Sequence, residues 1–177
     1  MREDIERILI SRQEIYAKVS EVGAQISRDF EGLSPLFVGV LKGCFIFMAD
    51  LIRCVDIQCS MDFMAVSSYS GVNSTGAVKI TKDLSEDISG RHVIIVEDIL
   101  DSGITLNYLK NFLQQRNPAS IHIVTLMDKP SRRKAPVFAD YHCFEVPDAF
   151  VVGYGLDYNE SYRNLPYIGV LKSEIYE

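Results

Sequence analysis

The stretch from Val93 to Leu106, VIIVEDILDSGITL, constrains this chain more than any other. His92 to Val96 is an unbroken apolar run rich in β-branched residues. A half-exposed strand would alternate polar with apolar side chains, so an unbroken run marks a strand covered on both faces. Such a strand needs helices above and below its sheet. Helix and strand signals do alternate along the chain, which predicts an α/β fold with a mostly parallel central sheet flanked by helices. No repeat, low-complexity tract or shift in composition divides the 177 residues, so one domain over 1–177 is expected.

The neighbouring elements follow from periodicity and punctuation. Ser11 with Glu14 three residues later is a capping box. Apolar residues then recur at Ile15, Val19, Val22, Ile26 and Phe30, the stripe of an amphipathic helix that Gly32 can end. Leu36 to Val40 reads as a buried strand, and Cys44 to Val55 as a helix. Met61 to Tyr69 alternates like a strand, Ser70 to Gly76 reads as a mobile turn or loop, and a strand resumes over Ala77 to Thr81. After the central strand, which ends in Glu97-Asp98, a helix is expected from Ile104 to about Arg116, stopped by Asn117-Pro118. Ile121 to Met127 is the next strand. Tyr141 to Val146, Phe150 to Gly153 and Tyr167 to Leu171 read as the last three.

The chemistry gathers where the central strand ends. Ligands of open α/β sheets lie beyond the carboxyl ends of the strands. Here the strand delivers Glu97, Asp98 and Asp101 to that edge, and small residues lead into a helix. The amides of Ser102, Gly103, Ile104 and Thr105 are then free at a helix N-terminus, where oriented N–H groups and the helix dipole bind a phosphate. Carboxylates beside a phosphate cradle are repulsive unless they serve sugar hydroxyls, a metal or a proton. A plainer reading also stands: the acids cap a helix and Gly103 makes a turn. The chain lacks G-x-x-x-x-G-K-[ST], and Gly153-Tyr154-Gly155 has neither a third glycine nor a following helix, so neither a P-loop nor a dinucleotide fingerprint is present.

Charge and cysteines narrow the partners. The formal net charge is −6, whereas binding a nucleic-acid backbone needs a surplus of Lys and Arg. No nucleic-acid partner is expected; small anionic substrates need only a local positive pocket. Cys44, Cys54, Cys59 and Cys143 show no C-x-x-C spacing and no metal-ligand pattern with His, so they read as reduced thiols. Arg2, Glu3, Asp4, Glu6 and Arg7 leave no room for the apolar core of a signal peptide. Lys42 and Asp50 interrupt the longest apolar stretch, Leu36 to Ile52. A cytoplasmic protein with no membrane partner is expected.

VIIVEDILDSGITL resembles the phosphoribosyl pyrophosphate signature of type I phosphoribosyltransferases. The resemblance extends over nearly the whole chain and narrows to the hypoxanthine–guanine branch. LKGCFIFMADL (Leu41 to Leu51) is similar to the pyrophosphate loop of that family, and Ser68-Tyr69 with STG at Ser74 to Gly76 to its flexible catalytic loop. Lys129 and the block PDAFVVGYGLDYNESYRNLPYIGVL (Pro147 to Leu171) resemble its purine-binding and C-terminal segments. Four blocks in the family's order are far more specific than any one of them.

The resemblance implies the type I fold with a small hood built from the terminal segments. It implies transfer of a phosphoribosyl group from phosphoribosyl pyrophosphate to a 6-oxopurine with Mg²⁺ as cofactor, and a homodimer or homotetramer. Glu97 and Asp98 would contact the ribose hydroxyls, and Asp101, near the purine N7, would be the general base. Ser102, Gly103, Ile104 and Thr105 would hold the 5′-phosphate. Ile104 stands where some members have Lys, which removes one charge contact but leaves the backbone donors. Lys42 and Gly43, with a cis peptide between Leu41 and Lys42, would touch pyrophosphate together with Ser68, Tyr69 and Arg163. Lys129 would donate to purine O6, Phe150 would stack on the ring, and Val151 would bond its edge through the backbone. Asp157 would complete the purine site and, with Glu97 and Asp98, the metal site.

Taken singly, several of these residues have plainer roles. Phe150 fits a core position, Lys129 beside Arg132-Arg133-Lys134 fits a solvated run, Asp157 and Arg163 fit a surface ion pair, and Lys42 fits an exposed position after a strand. Two rival functions are a nucleotide-binding regulator of gene expression, disfavoured by the acidic balance, and a transferase for xanthine or another base.

Overall fold

The computed structural model describes residues 1–68 and 78–176, with the Ser68 side chain left aside. Tyr69 and the loop expected over Ser70 to Gly76 lie outside the described residues, as does Ala77. The central sheet has six strands in the order β4 (Val78–Lys82), β3 (Ser60–Ser68), β2 (Leu36–Leu41), β5 (His92–Leu100), β6 (Ser120–Asp128) and β7 (Tyr141–Glu145). All neighbours pair in parallel except β3 and β4, which run antiparallel at one edge.

β5 lies at the centre of the sheet. Val93, Ile94, Ile95 and Val96 are fully buried. Ile94 and Val96 pack with α1 (Arg12–Asp29) and α2 (Phe45–Arg53) on one face, while Val93 and Ile95 pack with α3 (Ile104–Gln114) on the other. Strand alternation thus divides one apolar run between two cores. Burying each such side chain stabilises the fold by about 1.5–3 kcal/mol.

The capping box of α1 is present in both directions. Ser11 N donates to Glu14 Oε2 at 2.8 Å, and Glu14 N donates to Ser11 Oγ at 3.3 Å. Ile15, Val19, Val22 and Ile26 form its buried stripe, with Phe30 at the C-cap and Gly32 in the turn beyond at φ +75°. Gly23 lets α1 approach the end of α2, because a Cβ there would lie 2.7 Å from the backbone oxygen of Cys54.

Three elements lie outside the sequence expectations, one of them a 3-10 turn at Pro130–Arg132. β1 (Ile5–Ile10) pairs antiparallel with β9 (Ile168–Leu171), which also pairs with β8 (Val151–Val152). These three strands form a separate sheet that unites the two ends of the chain as the expected hood. A single turn, α4 (Ser173–Tyr176), follows β9. β1 escapes a sequence reading because IERILI holds charge where a central strand would be apolar; its edge position leaves half of it exposed. All four cysteines are free thiols. Among the described residues no helix is long and apolar enough to cross a membrane.

Candidate active site

β5 does not stop before its acids. Glu97 pairs with Thr125, Ile99 with Met127 and Leu100 with Asp128, so the strand carries Glu97 and Asp98 inside the ladder and ends at Leu100. Both acids are therefore partly buried on a rigid element. Glu97 Oε2 is enclosed and has no hydrogen-bond partner among the described residues. Burial pushes its carboxyl well above the ordinary range, and the charge of Asp98 adds to this. Burial likewise raises Asp98 to about 6, against the N–H of Ile99, which donates to Asp98 Oδ1 at 2.7 Å. An unpartnered buried carboxylate costs free energy unless a ligand, a proton or a cation completes it.

The turn that follows is open to an anion. Gly103 caps α3 at φ 77° with no side-chain cap, a left-handed conformation that a glycine adopts without strain. The amides of Ser102, Gly103 and Thr105 meet no acceptor among the described residues, and Ile104 N reaches only Ser102 Oγ, at 3.5 Å. Ser102, Gly103 and Thr105 line a recess with Glu97, Asp101 and Leu106. The turn is held from behind. Lys134 N and Ala135 N donate to Ser102 O at 2.9 and 3.1 Å. Arg133 donates through Nε to Asp101 O at 3.1 Å and through Nη2 to Leu100 O at 3.3 Å, and it pairs with Asp128.

Three further segments converge on this edge. The Leu41–Lys42 peptide after β2 is cis. Gly43 abuts Asp98, so that a Cβ on Gly43 would overlap Asp98 Oδ2. Gly155, at φ +106°, lies against the carbonyl of Gly43 in the same way. Arg163 donates to Gly155 O at 2.7 Å and forms an ion pair with Asp157 Oδ1 at 2.9 Å, while its Nε is buried without a partner among the described residues. Lys42 Nζ lies 3.1 Å from Glu160 Oε2 on the exposed side. The pair Asp157–Arg163 is partly buried, with side chains 28% and 20% exposed, which separates it from a surface ion pair.

Next to the anion recess is a cavity of about 450 Å³. Ile99, Asp101, Lys129, Phe150, Val151 and Tyr176 contribute to its wall. Lys129 is 6% exposed, not solvated: it follows β6 directly, and its Nζ donates to Ala149 O at 2.7 Å. Burial lowers the pKa of its amine. Phe150 is 38% exposed and lies at the cavity edge rather than in the core. Val151 is buried in β8.

Ser68 ends β3, and the rest of the expected flexible loop, Tyr69 to Gly76, lies outside the described residues. Among the described residues no three His, Cys, Asp or Glu side chains are grouped to hold a metal ion, so Glu97, Asp98 and Asp157 do not form a three-ligand cluster. Asp157 is instead occupied by Arg163 and by the Glu160 amide at 2.9 Å.

Sequence reasoning missed Arg132, Asp148 and Tyr176. Arg132 Nε donates to Asp101 Oδ1 at 2.8 Å, and Arg132 Nη1 is 3.2 Å from both oxygens of Asp148. Arg132 lies in the charged run after Lys129 and Asp148 in the block Pro147 to Leu171, and their opposite charges are the one signal that could have paired them. Nothing marked Tyr176.

Known proteins resemble this chain over nearly its whole length. Residues 8–159 match the phosphoribosyl transferase domain family. The chain is 57% identical to the hypoxanthine-guanine phosphoribosyltransferase of Bacillus subtilis, covering 100% of this chain and 99% of that protein. It is 50% identical to the protein of the same name from Streptococcus pneumoniae strain R6, covering 99% and 98%. Its fold is similar to the crystal structure of a hypoxanthine phosphoribosyltransferase from Staphylococcus aureus, with a TM-score of 0.96 at 50% identity over 100% of this chain and 97% of that one.

Proposed function

We propose, for a chain that belongs to the phosphoribosyl transferase family, a purine-salvage reaction: hypoxanthine or guanine with phosphoribosyl pyrophosphate gives the nucleoside monophosphate and pyrophosphate. One observation carries the reading. A helix start with open amides, flanked by strand-borne carboxylates, adjoins a cavity walled by a buried lysine and an aromatic edge. The first half suits a ribose 5-phosphate and the second a flat base with an exocyclic oxygen.

The residues divide the work by chemistry. The amides of Ser102 to Thr105 hold the 5′-phosphate through oriented donors, and Ser102 and Thr105 add hydroxyls. Glu97 and Asp98 take the ribose hydroxyls. Lys42, Gly43 and the guanidinium of Arg163, with Ser68 and Tyr69, bind pyrophosphate, where a planar fork matches phosphate oxygens. Phe150 stacks on the purine, Lys129 donates to its O6, and the backbone of Val151 bonds its edge beside Asp157. The lysine selects 6-oxopurines, because an adenine amino group would turn a donor toward a donor.

In the reaction, N9 of the base forms a bond to C1 of the ribose as the bond from C1 to pyrophosphate breaks. Asp101 accepts the proton that leaves the base at N7, a role worth roughly 10²–10⁴-fold. Arg163 and Lys42 stabilise the charge that grows on the leaving group. Mg²⁺ fits the unpartnered Glu97 oxygen and the raised Asp98. Glu97 and Asp98 are the residues that would hold it, since Asp157 is taken by Arg163 and the Glu160 amide, and it would neutralise phosphate charge while retaining waters of its own. We further propose a cytoplasmic enzyme that assembles as a homodimer or homotetramer.

The test is a turnover assay with phosphoribosyl pyrophosphate, Mg²⁺ and each of hypoxanthine, guanine, xanthine and adenine. Product from hypoxanthine or guanine and little from adenine is expected. Inactivity with both 6-oxopurines, or preference for adenine, would refute the proposal.

A further inference from the structure

The carboxylate assigned as general base is not free in its cavity. Asp101 Oδ1 accepts from Arg132 Nε at 2.8 Å. Among the described residues Asp101 Oδ2 accepts no hydrogen bond. The same guanidinium reaches both oxygens of Asp148 through Nη1, at 3.2 Å each. Arg132 is the last residue of the single 3-10 turn Pro130–Arg132, which begins directly after Lys129. All four of Asp101, Lys129, Arg132 and Asp148 line one cavity.

Stability does not explain the arrangement. The side chains of Asp101, Arg132 and Asp148 are 40%, 48% and 56% exposed. Ion pairs this accessible contribute little to stability. Their geometry is more telling. A guanidinium held at one end by a carboxylate, and bonded at the other to a single oxygen of a second carboxylate, fixes the rotation of that second group. It leaves the other oxygen unbonded. A base whose orientation is set by a third group is the arrangement that efficient proton transfer needs. The next residue complements it: Arg133 ties down the backbone of Asp101 through its carbonyl at 3.1 Å. Adjacent arginines thus hold the backbone and the side chain of the same aspartate.

We infer that Arg132, braced by Asp148, is a positioning residue that orients Asp101 through Oδ1 and presents Oδ2 to the N7 proton of the purine. The inference rests on the reading of Asp101 as general base. Arg132 touches neither bond that changes; it acts through Asp101. Its removal leaves Asp101 able to rotate away from the attacking geometry, which lowers turnover and leaves the grip on phosphoribosyl pyrophosphate intact.

The experiment compares the whole protein with R132A, R132K, D101N and the double variant D101N/R132A. It measures kcat with hypoxanthine, KM for each substrate and the melting temperature. R132A is expected to lower kcat roughly tenfold, a fraction of what a placed base supplies. KM for phosphoribosyl pyrophosphate should stay within about twofold and the melting temperature nearly constant, as an exposed pair implies. R132K should recover part of the loss, since one donor replaces a fork. In the D101N background, R132A should cause no further loss, because residues that act as a unit are not additive. Wild-type turnover in R132A, or a loss that multiplies with that of D101N, would overturn the positioning role and leave the base assignment standing. Wild-type turnover in D101N would instead remove the base assignment, and the positioning role with it.

Discussion

Phe150 and Tyr176 lie stacked, with ring centroids 4.6 Å apart and planes 18° from parallel. Phe150 precedes β8, and Tyr176 ends the turn of α4. Tyr158 meets Phe150 edge-on at 5.6 Å, so two aromatic neighbours hold the ring. Both Phe150 and Tyr176 line the cavity assigned to the purine. An aromatic pair of this kind is worth about 0.5–1.5 kcal/mol beyond its buried area. Tyr176→Ala should therefore raise KM for hypoxanthine roughly 2–10-fold, while Tyr176→Phe stays near wild type. KM for phosphoribosyl pyrophosphate should not change. Initial-rate measurements over both substrates check this.

Lys129 is buried, and Ala149 O accepts from it at 2.7 Å. Lys129→Ala should weaken 6-oxopurine use more than use of phosphoribosyl pyrophosphate, by about tenfold or more for a lost charge-assisted hydrogen bond. Equal loss toward both substrates would contradict the assignment. Because burial lowers the pKa of this amine, its charge is lost at a lower pH than that of an exposed lysine. Affinity for the base should accordingly decline on the alkaline side before that of a surface lysine contact would. Titration of hypoxanthine binding against pH reads this directly.

Gly43 has no room for a side chain. A Cβ would overlap Asp98 Oδ2, and Gly155 lies close against the Gly43 carbonyl. Gly43→Ala must therefore displace the Asp98 carboxylate or the loop after β2. KM for phosphoribosyl pyrophosphate should rise by about tenfold or more, since misplacement on the order of 1 Å carries large catalytic penalties. The control is Gly90→Ala. Gly90 has open space around it, although its φ of +71° makes the change mildly destabilising. That variant should melt slightly lower and keep its substrate KM values.

Asp98 links the site to stability. Its carboxyl is raised to about 6, mainly by burial, above its ordinary value of 3.8. Between those values the folded chain binds more protons than the unfolded chain. Stability from this group is thus fully present below the lower value and is lost as pH rises through about 6. Asp98→Asn removes the charge and keeps an acceptor for the Ile99 amide. The variant should gain in melting temperature over wild type at pH 7.5 and gain less at pH 4.5, with a difference on the order of 2 kcal/mol between the two conditions. A gain independent of pH would show that burial does not penalise the ionised form. Turnover should fall at every pH.

How far the site was legible differs from residue to residue. Glu97, Asp98 and the Ser102–Thr105 turn could be found because they follow a strand without a break, and local order alone brings them together. The boundary was less legible: β5 continues to Leu100 because β6 supplies partners up to Asp128, which no local pattern announces. Lys129 looked equally like part of a charged run. Only the packing of β6 against the 147–151 segment buries it and points it at Ala149. β1 was invisible for a related reason. Its charged edge has a strand partner about 160 residues away, in β9.

The sequence alone determined the central strand, the helices on its two faces, the acids and the turn with free amides at its end. Each of these rests on interactions within a dozen residues, where hydrophobic period and backbone freedom decide the outcome. Tertiary structure decided everything that depends on distant partners: the sheet joining the chain ends, the aromatic pair of Phe150 and Tyr176, and the grip of Arg132 on Asp101. The physical reason is reach. A hydrogen bond or a stack acts over a few ångströms, and only the folded chain brings residue 176 to 150 or 132 to 101.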